Sequence, residues 1–140
     1  MWTRCSILLA TATLVASSLT QTCQEYYASP STTAPDAAAW CNQGEYWSFN
    51  SPSNDGQEVR LFSRCTPDQA GTDWGDGKTT IISHGFPTSS FDWREVVSLL
   101  EQNGFRACAI DYAGFGFSEK PRPFVYSMYD QAAALHQFIK

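Results

Sequence analysis

Two short runs of β-forming residues, Thr79-Thr80-Ile81-Ile82 and Ala107-Cys108-Ala109-Ile110, flank a single segment of helical period. Within that segment Trp93, Val96, Val97 and Leu100 fall at i, i+3, i+4 and i+7, which puts them on one face of a helix. Strand, loop, helix, strand and loop in that order predict a parallel sheet with helices packed on it. The helix is expected to start at Ser89, with Asp92 as capping-box partner, and to close at Asn103-Gly104. Phe105 to Ile110 reads as a strand buried on both faces. Ser127 and Asp130 repeat the capping pattern and open a second helix, whose Met128, Ala132, Leu135 and Ile139 share a face.

Upstream, the alternating run Glu45 to Phe49, the turn-rich Asn50 to Gly56 and the alternating Glu58 to Arg64 read as a hairpin. Thr66 to Gly77 is a polar loop whose Asp73 and Asp76 lack the spacing of a calcium loop. Lys78 to Ser83 form the third strand. Arg4, the apolar run Ile7 to Ala16 and the small Ser17 and Ser18 make residues 1–18 a secretory signal peptide. The run falls short of the ~20 residues that span a bilayer, so a secreted protein without stable membrane insertion is expected. Residues 19–43, rich in Ser, Thr, Pro and Ala, read as a linker, and the folded domain is expected over 44–140. The net charge of −5, with no basic block, excludes a nucleic-acid partner.

Removing the leader leaves Cys23, Cys41, Cys65 and Cys108, an even number in a secreted chain. Cys108 lies inside an apolar strand pattern and is expected to be a free buried thiol. The expected disulfide is then Cys41 with Cys65, with Cys23 free or paired elsewhere. No Cys-x-x-Cys supports zinc or thioredoxin chemistry.

The loop that leaves the third strand, His84-Gly85-Phe86-Pro87, carries the candidate chemistry. Gly85 lets a ligand approach the backbone, while Pro87 fixes its own φ and pushes Phe86 towards an extended conformation. Together they can hold the Phe86 N–H outwards as a donor to a developing oxyanion, an interaction worth about 3–4 kcal/mol of barrier. The Phe86 ring would line an apolar pocket. His84 suits a structural hydrogen-bonding role better than that of a general base, because no nucleophile accompanies it. His136 reads as a surface residue. Gly114-Phe115-Gly116 resembles part of a dinucleotide fingerprint, but Glu119 stands where its third glycine belongs. Asp111 reads as a cap for the amides of the turn that follows it.

The two stretches from His84 to Trp93 and from Asp111 to Pro121, in that order, resemble the α/β-hydrolase fold. Within it they are similar to the branch of epoxide hydrolases, haloalkane dehalogenases and the mesoderm-specific transcript protein, in particular through Gly114-Phe115-Gly116-Phe117-Ser118 followed by Lys120-Pro121-Arg122-Pro123. The resemblance implies the N-terminal part of an α/β-hydrolase sheet: an antiparallel hairpin, then parallel strands with helices on both faces. It implies that the Phe86 N–H is an oxyanion donor supported by His84, Gly85 and Pro87, with the Phe86–Pro87 bond cis. Trp93 and Phe115 would sit on the pocket rim. A small apolar organic substrate is implied, with no cofactor and no metal. In that fold the nucleophile sits on a strand-to-helix elbow, followed by an acid and a histidine, and all three would lie beyond Lys140. The expectation is part of a secreted hydrolase of ester, epoxide or carbon–halogen bonds, acting through a covalent Asp or Ser intermediate, with these 140 residues alone inactive. The alternative is a truncated, non-catalytic secreted binding module.

Overall fold

The structure is a computed structural model and describes Cys23, residues 35–67 and residues 77–140. The expected signal peptide, most of the expected linker, and Asp73 and Asp76 lie outside the described residues. The chain forms α1 (Pro35–Asn42), β1 (Glu45–Ser51), β2 (Gln57–Cys65), β3 (Thr79–Ser83), α2 (Arg94–Gln102), β4 (Arg106–Asp111) and α3 (Met128–Ile139).

The strands make one sheet in the order β1-β2-β4-β3. β1 pairs antiparallel with β2, β2 antiparallel with β4, and β3 parallel with β4. The carboxyl ends of β3 and β4 therefore emerge side by side, at the same end of the sheet as the β1–β2 turn. Alternation along the strands sends side chains to two faces. On one face Phe62, Ala107 and Ala109 pack with Val97 of α2 and with Trp40 and Cys41 of α1. On the other, Phe49, Val59 and Leu61 pack with Ala134 of α3. Helices thus cover both faces of a mixed sheet, the arrangement that the resemblance implies.

Four local expectations are corrected. Residues 35–42 are not linker: they form α1, with Pro35 at its first position and Trp40 and Cys41 buried. Three alanines and one apolar anchor outweigh a composition that reads as loop when averaged over a longer window. Neither disulfide is the expected one, since Cys23 bonds Cys41 and Cys65 bonds Cys108. Cys65 and Cys108 are direct cross-strand partners in the β2–β4 register, with Cα atoms 4.0 Å apart. Being inside a buried strand is what brings Cys108 to its partner, and the pairing of β2 with β4 leaves no local signal.

The first helix also begins later than its capping pattern predicts. Ser89 makes no side-chain cap; a 3-10 turn over Ser90–Trp93 precedes α2. The Ser90 N–H is taken instead by the carboxylate of Asp111, a long-range substitute for a cap. Val97 is buried and Val96 partly exposed, so the apolar stripe is narrower than the spacing implies.

In α3 the Ser127 cap forms, its hydroxyl accepting the Asp130 N–H at 3.0 Å. The buried face, however, carries Asp130 and Ala134, while Met128 is 77% exposed and Ile139 is also exposed. The Asp130 carboxylate accepts the Ser53 N–H at 3.1 Å and the Ser127 hydroxyl at 3.0 Å. That anchor rotates the helix so that Ala133, Ala134 and Phe138 lie over β1 and β2, with the Phe138 and Trp47 rings 5.1 Å apart.

Peptide mapping without reduction should therefore recover Cys23–Cys41 and Cys65–Cys108 cross-links and no Cys41–Cys65 species. The C65A/C108A double substitution opens a 43-residue loop. By loop-closure entropy it should cost about 4 kcal/mol, read from denaturant unfolding.

Candidate functional site

β3 and β4 end side by side, and the loops that leave them face each other across the carboxyl end of the sheet, where open α/β sheets place their ligands. His84 is the first residue past β3 and is buried. Its Nε2 accepts the Tyr112 N–H at 3.2 Å, and its Nδ1 lies 2.7 Å from the Gly85 carbonyl. An acceptor Nε2 requires the proton to sit on Nδ1, where it donates to that carbonyl. Both ring nitrogens are thereby engaged with backbone, and His84 fastens the β3 loop to the β4 loop. This geometry gives His84 a holding role and leaves no lone pair for proton transfer.

Beyond His84 the loop turns through Gly85 and Phe86, with a cis Phe86–Pro87 bond. Phe86 is 84% exposed, and its ring meets Phe115 edge-on at 6.0 Å. Its N–H donates to no acceptor among the described residues. The Thr88 N–H closes the turn onto the Gly85 carbonyl at 3.4 Å. Phe115 is half-buried and also packs against His84 at 5.1 Å. Trp93, the other expected rim residue, packs half-buried against the core with Phe91 and Leu100. The structure thus gathers His84, Gly85, Phe86, Pro87 and Phe115 at one place and puts Trp93 beneath them in the helix–sheet interface.

Asp111, the last residue of β4, organises both loops. Its carboxylate is fully buried and accepts the Ser90 N–H at 2.5 Å and the Phe117 N–H at 2.8 Å. Desolvation nevertheless pushes this carboxyl above its ordinary range, against the pull of the Phe117 and Ser90 donors and of nearby His84. Gly116, at φ 47°, closes over the carboxylate so tightly that a Cβ there would overlap it. The glycine is a matter of close approach, not of a cofactor phosphate.

The rest of the β4 loop is stitched to β2. Ser118 Oγ donates to the Asp111 carbonyl at 2.6 Å and accepts the Phe62 N–H at 2.8 Å. The Glu119 N–H donates to the Arg60 carbonyl at 2.9 Å, and Glu119 Oε2 accepts the Arg60 N–H at 3.0 Å. Lys120 Nζ donates to the carbonyls of Gly116 and Ser118 at 2.7 and 2.9 Å. Desolvation lowers that ammonium group, and the charge of Asp111 opposes the shift. Glu119, the residue in the third-glycine position, is thus a structural side chain, and the next helix starts only at Met128. Asp111, Ser90 and Ser118 were not all legible beforehand: Asp111 shows as a turn cap, but its reach to Ser90 depends on the β3–β4 pairing.

Comparison with known proteins agrees with this geometry. Residues 78–140 match the alpha/beta hydrolase fold family. The chain has the α/β-hydrolase fold. It is 32% identical over 111 residues to the mesoderm-specific transcript protein of Mus musculus, covering 79% of this chain and 30% of that protein. It is 39% identical over 67 residues to haloalkane dehalogenase 2 of Mycobacterium bovis, covering 48% of this chain and 23% of that one. A probable hydrolytic enzyme from Pseudomonas aeruginosa superposes with a TM-score of 0.57 at 28% identity, over 69% of this chain and 28% of the other. The chain thus spans less than a third of the length of each of these curated relatives. Among its described residues no helix is long and apolar enough to cross a membrane, and no cluster of His, Cys, Asp and Glu can hold a metal ion.

The buried carboxyl gives a pH test. In the folded protein Asp111 binds its proton more tightly than the ordinary value of 3.8 allows. Its contribution to stability is therefore fullest below that value and is lost as pH rises through the raised folded pKa. Stability measured relative to Asp111→Asn should be greatest at low pH and shrink as pH rises, in denaturant titrations of both proteins across the acid range. A difference that grows with pH would reverse the assignment.

Proposed function

We propose that these residues form the oxyanion-loop part of a secreted hydrolase that cleaves ester, epoxide or carbon–halogen bonds through a covalent Asp or Ser intermediate. The reading rests above all on Phe86, an exposed residue just past the carboxyl end of β3 whose N–H donates to no acceptor among the described residues. Its loop is pinned on both sides by buried hydrogen bonds. A donor held this way stabilises negative charge as it develops and needs little reorganisation at the moment of reaction.

The α/β-hydrolase fold supports the assignment, as does similarity to a haloalkane dehalogenase and to a probable hydrolytic enzyme. The nucleophile, the acid and the catalytic histidine belong, on this proposal, to sequence that follows Lys140 in the complete protein. The rings of Phe86 and Phe115 offer an apolar rim to a small organic substrate, and the leader-like residues 1–18 direct the protein to secretion.

The test removes a single atom group. In the complete protein, Phe86 is replaced by phenyllactic acid, which exchanges the Gly85–Phe86 amide for an ester. The exchange deletes the N–H and weakens the Gly85 carbonyl as an acceptor, so Thr88→Pro, which removes one bond to that carbonyl and leaves the Phe86 N–H, serves as the control. Hydrolysis of a p-nitrophenyl ester, a haloalkane and a styrene-oxide-type epoxide is then compared with the parent. For the substrate turned over, kcat should fall about 100- to 1000-fold with KM changed little. Turnover of a substrate with kcat unaffected by the exchange would remove Phe86 from the oxyanion site.

A further inference from the structure

The loop that carries Phe86 is anchored from a part of the chain that precedes the family match. Trp40, in α1, donates its indole Nε1–H to Ser90 Oγ at 3.2 Å, and both side chains are buried. Indole is a donor only, so Ser90 Oγ is the acceptor of this bond. The Asp111 carboxylate holds the same residue by its backbone, accepting the Ser90 N–H. The Trp40 ring also meets Phe91 edge-on at 6.4 Å. Next in sequence, Cys41 is bonded to Cys23, so α1 is covalently tied to the chain before it.

We infer that Trp40 is a positioning residue for the oxyanion donor, acting through Ser90 and Asp111. The segment from His84 to Ser89 has no regular backbone pairing, and one end of it is held by the bond from Tyr112 to His84. The other end is held at Ser90, by Asp111 from one side and Trp40 from the other. A donor effective against a developing oxyanion must be held within about 0.5 Å of its working position. A loop fixed at one end only does not meet that demand. α1 and its disulfide are therefore part of the foundation of the site, although the family match begins at residue 78. The inference rests on the oxyanion reading of Phe86, so its test includes a measurement that does not need catalysis.

Trp40→Phe keeps the buried ring and deletes the N–H, and Ser90→Ala deletes the hydroxyl that accepts it. In the complete protein, hydrogen exchange of the bonded loop amides of Thr88 and residue 90 should speed up about 10-fold in Trp40→Phe and further in Ser90→Ala. Exchange in the centre of β4 should be unchanged. With a p-nitrophenyl ester as probe, kcat should fall about 10-fold in Trp40→Phe while KM stays within about twofold. The double variant should be no worse than Ser90→Ala alone, because both changes break one relay. Faster loop exchange with no ester turnover in the parent would uphold the anchoring and sink the hydrolase reading instead. Unchanged exchange at Thr88 and residue 90, or a lower melting temperature with kcat intact, would show Trp40 to be ordinary core and overturn the proposal.

Discussion

A buried carboxylate sets the terms for everything at the carboxyl end of this sheet. Asp111 has no solvent exposure, and a charge in that position costs several kcal/mol unless hydrogen-bond donors surround it. The donors come from two loops: the Ser90 N–H from the β3 side and the Phe117 N–H from the β4 side. Satisfying Asp111 therefore dictates where both loops run. The demand reaches as far as residue 116, where only a glycine leaves room for the carboxylate.

Parallel pairing of β3 with β4 turns this local need into a site. Because the strands point the same way, their exit loops lie next to each other, and His84 and Asp111 span the gap in opposite directions. His84 reaches from the β3 loop to the Tyr112 N–H, while Asp111 reaches from the end of β4 to Ser90. Each cross-tie stabilises the other loop, so neither loop can shift alone. An antiparallel pair would have sent the two exits to opposite ends of the sheet and left both side chains without partners.

The elements of the fold were legible because hydrophobic period is a local property. β1, β2, β3, β4 and α3 fall close to where alternation and capping put them. What was illegible depended on contacts between distant residues. Cys108 and Cys65 pair only through the β2–β4 register, and Ser90 is capped by a residue 21 positions away. The rotation of α3 follows from the hold of Asp130 on the β1–β2 turn, which no helical wheel contains. α1 was hidden in a polar, proline-containing stretch, because its Trp40 acquires meaning only when it meets Ser90. In the site, His84, Gly85, Phe86 and Pro87 could be named from one tetrapeptide, whereas their supports come from four separate elements.

The division between buried supports and an exposed donor carries the chemical argument furthest. His84, Ser90, Asp111, Ser118 and Trp40 are all buried, and each has hydrogen-bond partners in the fold. Phe86 lies between two of these fixed points, its side chain in solvent and its amide not bonded to any described acceptor. Folding alone does not call for that arrangement, since an exposed aromatic ring forgoes burial worth about 1.5–3 kcal/mol and the loop could have bonded its amide internally. A rigid frame around an unsatisfied donor is what electrostatic preorganisation requires: on the proposed reading, the ordering is complete before an oxyanion forms, and its binding meets a group already in place. The same reasoning explains why the frame draws on α1, β2 and β4 as well as β3. A donor on a loop is only as well placed as the least constrained of its anchors.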